Sequence, residues 1–108
     1  MSLKEFAVQN RIKLVSFPAL DEVDDITAEA AVSKFFLKMQ KKLGSFDLTV
    51  QAKEFNKDRL RKQHELHSRL IAPKIMLSAT ATEWNFLSAL QESLKDLEKE
   101  FNKKARLY

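Results

Sequence analysis

The stretch DITAEAAVSKFFLKMQKKLG, residues 25–44, is the clearest structural signal in this sequence. Asp25 is a residue type that caps helix N-termini, and Gly44 is the type that most often follows helix C-termini. Between them the apolar side chains recur at three- and four-residue spacing and share one helical face. They are Ala28, Val32, Phe35, Phe36, Met39 and Leu43. The pattern predicts an amphipathic helix over residues 26–43.

Two further helices are predicted downstream of this stretch. The first covers residues 48–71, where well-spaced apolar residues share a helical face and Pro73 follows. The second covers residues 81–104, where Thr80 and Glu83 have the spacing of a capping box. Its apolar residues form a heptad-like seam. These are Leu87, Leu90, Leu94, Leu97 and Phe101.

The predicted fold is all-α, a small bundle of three main helices. Residues 1–17 add an N-terminal element that fits either a helix or a short strand of β-forming residues. One Gly and two Pro in 108 residues leave few turn signals for an all-β fold. The length is close to the modal domain size, so residues 1–108 are expected to form one domain.

Several function classes lack the residues that they need. With one Gly, the chain cannot form a P-loop, a dinucleotide-binding fingerprint or a G-x-S-x-G nucleophile elbow. With no Cys, it has no disulfide, no thiolate metal site and no Cys nucleophile. His64 and His67 are three residues apart, whereas helical zinc sites use His at a spacing of four. The sequence therefore predicts a protein that is not an enzyme, with no cofactor and no metal.

The cellular location is predicted from what the sequence lacks. No apolar run approaches the roughly 18 residues of a membrane span. The first 17 residues contain no continuous apolar segment of the kind found in secretory signals. We therefore expect a cytoplasmic protein that does not insert into membranes.

Positive charge is concentrated in the first predicted helix. Lys34, Lys38, Lys41 and Lys42 lie mainly opposite its apolar face, and no acidic residue falls between Ala30 and Phe46. Such a surface could bind the phosphates of a nucleic acid, with a salt-dependent affinity. Alternatively, the lysines keep the outer face soluble and stabilise the helix C-terminus through its dipole.

Four other residues are candidates for binding a partner. Arg59 falls in the centre of an otherwise apolar helical face, where it could snorkel, pair with a buried carboxylate or meet a partner. Trp84 lies off the heptad-like seam, as an interface anchor would. Leu90 and Leu97 belong to that seam, part of which could pack against a second chain.

These features favour a non-catalytic protein–protein interaction module: an adaptor, regulator, chaperone or assembly subunit. Its partner would be another protein or a second copy of the chain, since three apolar faces exceed what one small core can cover. The alternative is a nucleic-acid-binding protein that uses the lysine face. The net charge of +4 does not decide between them, because the basic residues are spread along the chain.

Overall fold

The structure is a computed structural model that describes residues 2–59 and 61–105. These residues form an α+β fold with three helices and four strands. In chain order the elements are α1 (Leu3–Gln9), β1 (Ile12–Val15), α2 (Glu22–Leu43), β2 (Asp47–Asn56), β3 (Lys62–Ala72), β4 (Ile75–Glu83) and α3 (Phe86–Ala105). The prediction of an all-α helical bundle is therefore wrong.

The four strands form one mixed sheet in the order β1-β2-β3-β4. Strand β1 pairs in parallel with β2, and α2 forms the crossover between them. Strands β2, β3 and β4 are antiparallel neighbours joined by hairpins. Because Leu48 is opposite Leu70, and Leu70 is opposite Leu77, one face of the sheet carries a continuous row of apolar side chains.

The helix predicted over residues 48–71 is instead the hairpin of β2 and β3. Apolar residues four apart lie on one side of a helix, but they also share one face of a strand, because four is a multiple of two. The pair that distinguishes a strand from a helix is Val50 and Ser68. Both residues are buried on the same face as the pairs on either side of them, Leu48 with Leu70 and Ala52 with Leu66, as the two-residue repeat of a strand requires. The turn has neither Gly nor Pro. Instead, the backbone N–H of Lys57 donates to the Arg61 carbonyl at 3.1 Å, and the Asp58 side chain accepts a hydrogen bond from the backbone N–H of Arg61 at 2.9 Å.

The other two predicted helices are present, but they begin at different residues and have different N-terminal caps. Helix α2 contains the predicted segment but is capped by Asp21, whose side chain accepts from the Asp24 N–H, and not by Asp25. Thr80 and Glu83 lie in β4, so they form no capping box, and the Asn85 side chain instead accepts from the Ser88 N–H in the first turn of α3. The N-terminal segment forms both elements considered for it, a helix and then a short strand.

The core lies between the helices and one face of the sheet. Helix α2 contributes Val32 and Met39, and α3 contributes Leu90 and Leu97; all four are fully buried. The opposite face of the sheet carries mainly polar side chains, together with the exposed apolar residues Phe55, Ile71 and Met76. In the part of the chain that the structure describes, no helix is both long and apolar enough to cross a membrane.

Candidate nucleic-acid interface

Helices α2 and α3 lie side by side and run in the same direction. Two contacts show this. The Lys38 ammonium is 2.6 Å from the Glu98 carboxylate, and one turn later the Lys42 ammonium lies 5.4 Å from the centre of the Phe101 ring. Residue numbers therefore increase together along both helices. The side of α2 that carries Lys38 and Lys42 borders α3, and both lysines remain exposed to solvent.

A shallow groove runs between the two helices at the level of the first of these contacts. It has a volume of about 350 Å³. Its floor is apolar, formed in part by Phe35 and Leu94. Its polar rim is formed by Lys34 and Lys38 of α2 and by Gln91, Lys95 and Glu98 of α3. We call this surface the α2–α3 groove. Three ammonium groups and one carboxylate line it, so its net charge is positive.

Lys95 is the one cationic residue of this groove that the sequence did not single out. It lies within α3, far from the lysine cluster in sequence and surrounded by acidic residues of the same helix. Only the parallel packing of α2 and α3 brings it beside Lys34 and Lys38. Of the three, Lys38 has an ion pair, whereas Lys34 and Lys95 have none with any residue of 2–59 or 61–105.

Further cations lie where both helices end. Lys42 and Lys74 line one depression of about 710 Å³, together with apolar residues of α2, α3 and the β3–β4 turn. The Lys104 ammonium donates a hydrogen bond to the Met76 carbonyl at 2.8 Å. Lys41 is in the last turn of α2 and is exposed. These lysines also interact favourably with the negative ends of the two helix dipoles.

The β2–β3 hairpin extends beyond the end of β4 and forms a second basic surface. We call residues 55–59 and 61–62 the hairpin tip. Arg59 lies in its turn, where it is exposed and has no ion pair with a described residue. Its position in the sequence therefore reflects a turn and not an interrupted helical face. Nearby, the Lys62 ammonium contacts the Glu54 carboxylate at 2.9 Å and lowers the pKa of Glu54 below its ordinary value.

Trp84 lies at the base of the hairpin tip, immediately after β4. Its side chain is 50% exposed. The Arg61 guanidinium stacks on the indole, 4.8 Å from its centre, and also contacts the Asp58 carboxylate at 3.0 Å. Residues from two distant parts of the chain thus form an exposed pair of an aromatic ring and a cation. Its signal in the sequence was the position of Trp84 off the apolar seam.

Leu90 and Leu97 are fully buried, each at 0% exposure. Both side chains pack in the core between α3 and the sheet. In this conformation they are unavailable to a partner, and the seam that contains them is part of the chain's own core.

The two histidines occupy opposite faces of β3. His64 packs edge-on against Phe86, with 5.9 Å between the ring centres. The His67 Nδ1 lies 3.1 Å from the Thr80 hydroxyl. Its Nε2 is 3.1 Å from a Glu65 carboxylate oxygen, a distance that permits attraction, but the two groups are not aligned as a hydrogen bond. Among residues 2–59 and 61–105, no three His, Asp or Glu side chains are grouped so that they could hold a metal ion.

Comparison with known proteins finds a structure of similar fold. No family model matches the chain, and no curated protein matches it in sequence. The crystal structure of the Thermus thermophilus Protein Y N-terminal domain is similar, with a TM-score of 0.51. The similarity covers 82% of this chain and 89% of that one, at 9% sequence identity. At this level of identity the similarity concerns the fold alone.

Proposed function

We propose that this protein is a non-catalytic nucleic-acid-binding protein that contacts the phosphate backbone through the α2–α3 groove. The observation that carries the proposal is the position of Lys95, which α3 places beside Lys34 and Lys38 of α2. A groove with cations on both walls can follow a line of phosphates, whereas one lysine face on a single helix is commonly a solvated surface. A cytoplasmic location belongs to the same proposal.

The side chains of the groove suit contact with the phosphate backbone of a nucleic acid and not recognition of its bases. Lysine is a flexible point charge that neutralises phosphates and releases their counterions. The aromatic rings near the groove, such as Phe35 and Phe101, are buried or half-buried and offer no stacking platform. We therefore expect little preference for sequence and a strong dependence of affinity on salt.

The test is fluorescence anisotropy with a labelled RNA strand of mixed sequence and with the corresponding RNA and DNA duplexes, each over a range of salt concentrations. The triple variant K34Q/K38Q/K95Q should bind more weakly to every probe that the parent binds. Each lost phosphate contact should reduce the slope of log affinity against log salt by about 0.7 for single strands and 0.9 for duplexes.

A matched control variant distinguishes binding at the α2–α3 groove from a general effect of the protein's net charge. The variant K4Q/K13Q/K53Q removes the same charge from exposed lysines outside the groove. It should retain most of the affinity and the salt slope of the parent. Equal losses in the two triple variants, or no binding by the parent at low salt, would exclude the α2–α3 groove as the interface.

A second candidate function is protein–protein interaction through the hairpin tip and Trp84. The observation that favours it is the half-exposed indole stacked with Arg61, because Trp and Arg are enriched among the residues that dominate interfaces. A partner captured from nuclease-treated extract should be lost on Trp84→Ala with Arg59→Gln. It should remain bound by the groove variant and by Leu37→Ala, which truncates an exposed apolar side chain on α2.

A further inference from the structure

The two edges of the sheet differ in how much unpaired backbone they offer. Strand β1 has four residues, and positive φ angles at Arg11 and Ser16 bend the chain away at both ends. Strand β4 has nine residues and forms the opposite edge. A long regular edge strand is a template for pairing with another chain, so sheets usually protect it.

The backbone groups of β4 that face outward follow from the register. Residues 73 and 74 form a two-residue turn between the paired residues Ala72 and Ile75. In such a hairpin the pair next to the turn is hydrogen-bonded, and bonded and non-bonded pairs then alternate. The outward-facing residues are therefore Met76, Ser78, Thr80 and Thr82. The hydrogen bond from Lys104 to the Met76 carbonyl agrees with this assignment.

The usual protections are missing along most of this edge. The stretch Ser78-Ala79-Thr80-Ala81-Thr82 has no charge, no Pro and no bulge. Within residues 2–59 and 61–105, no hydrogen bond reaches the outward N–H and C=O groups of Ser78, Thr80 or Thr82. Among the described residues, the Lys104 ammonium alone reaches this edge, at the Met76 carbonyl.

The charges at the two ends of β4 indicate what could pair with it. Lys104 reaches the Met76 end from α3, on the helix-bearing side of the sheet. Glu83 ends the strand, and its side chain is on the same side because it is opposite His64, which contacts Phe86 of α3. Glu83 has no ion pair with any described residue. An antiparallel copy would bring the basic end of one β4 to the acidic end of the other.

We propose that β4 pairs with β4 of a second copy of this chain, antiparallel and about a two-fold axis at Ala79. This register places Ser78 opposite Thr80 of the partner subunit and Met76 opposite Thr82 of the partner subunit. The partner backbone then bonds to the Met76 carbonyl, and the Lys104 ammonium moves to Glu83 of the partner subunit. The same ion pair forms twice, because a two-fold interface uses the same surface of both subunits.

The first test is sedimentation velocity of the full chain over a wide range of concentrations, for the parent, Thr80→Pro and Thr80→Ala. Proline removes one outward N–H and leaves the ladder to β3 intact, as Pro does on edge strands. The parent and Thr80→Ala should form dimers, and Thr80→Pro should remain monomeric with an unchanged circular dichroism spectrum. A monomeric parent at high micromolar concentration, or dimers formed equally by Thr80→Pro, would overturn the proposal.

The second test is a charge exchange that does not depend on tolerance of proline. Glu83→Lys and Lys104→Glu should each weaken the dimer by about fivefold or more, since each variant loses both ion pairs and places like charges together. The double variant E83K/K104E restores opposite charges and should recover most of the affinity of the parent. If the double variant is as weak as the single ones, the antiparallel pairing is excluded.

Discussion

The hydroxyl groups of Ser68 and Ser93 meet at 2.9 Å inside the core and join β3 to α3. Ser93 also donates to the Leu90 carbonyl at 2.9 Å, so Ser68 must be the donor to Ser93. Both residues are buried, at 1% and 0% exposure, among apolar side chains. The one buried polar contact between the sheet and α3 is thus satisfied as a short chain of two hydrogen bonds, within the residues that the structure describes.

Ser93→Ala is expected to destabilise the protein by about 1–3 kcal/mol, because it leaves the Ser68 hydroxyl buried without an acceptor. Ser68→Ala should have a smaller effect, since Ser93 keeps its bond to the Leu90 carbonyl. The double variant should cost less than the sum of the single variants. Urea unfolding of all four proteins measures this coupling, and strict additivity would contradict the hydrogen-bonded pair.

Phe35→Ala and Leu94→Ala should each lower the free energy of unfolding by about 2–5 kcal/mol. The two side chains lie under the α2–α3 groove and are 5% and 4% exposed. Thermal melting checks this, with Leu37→Ala as a control, because Leu37 is on the same helix but is exposed. A melting temperature for either core variant close to that of Leu37→Ala would contradict the packing of the two helices.

Gly44→Ala should destabilise the protein by about 1–3 kcal/mol through the backbone alone. Gly44 ends α2 with a φ of 75°, a conformation that residues with a Cβ avoid. A Cβ at this position would meet no atom within 4 Å, so steric clash contributes nothing. Ser45→Ala, at the neighbouring exposed position, should be nearly neutral in the same denaturation experiment.

Lys62→Gln should raise the pKa of Glu54 toward its ordinary value of 4.5, because the hydrogen bond from the Lys62 ammonium is the main cause of its lowering. The lowered pKa means that ionised Glu54 stabilises the fold above the unfolded-state pKa. This contribution is lost as the pH falls through the folded-state pKa, and it is small because both side chains are well exposed. An NMR titration of the Glu54 carboxyl measures the shift. Lys13→Gln, on β1, should leave it unchanged.

Whether the sequence predicts an element of this fold depends on how clearly its apolar residues distinguish the helical repeat of 3.6 residues from the strand repeat of two. Helix α2 was predictable because Phe35 and Phe36 fit a helical face and cannot both face one side of a strand. The β2–β3 hairpin was not, because several of its apolar residues are four apart, a spacing that fits one face of a helix as well as one face of a strand. Its turn is closed by hydrogen bonds of Lys57 and Asp58 with Arg61, and not by Gly or Pro. Ser68 is polar, so the sequence gives no sign that it is a core residue; its burial is explained by its hydrogen bond to Ser93, which lies in a distant segment.

The candidate interface was predictable only in part. The outward projection of Lys34 follows from helical geometry within a single segment. The contribution of Lys95 follows from the packing of α2 against α3, which no local pattern encodes. The same holds for Arg61 and Trp84, whose contact depends on how far the hairpin extends beyond β4.

The topology of the sheet has a consequence for how the chain reaches this structure. The pairings β2–β3 and β3–β4 join neighbouring segments, so each requires the closure of only a short loop. The parallel pairing of Ile12 with Leu48 requires the whole of α2 to lie between its partners. Contacts between distant segments form late, because chain entropy opposes them until other structure is present. The three-stranded meander with α3 is therefore the expected folding nucleus, and β1 docks onto an edge that already exists.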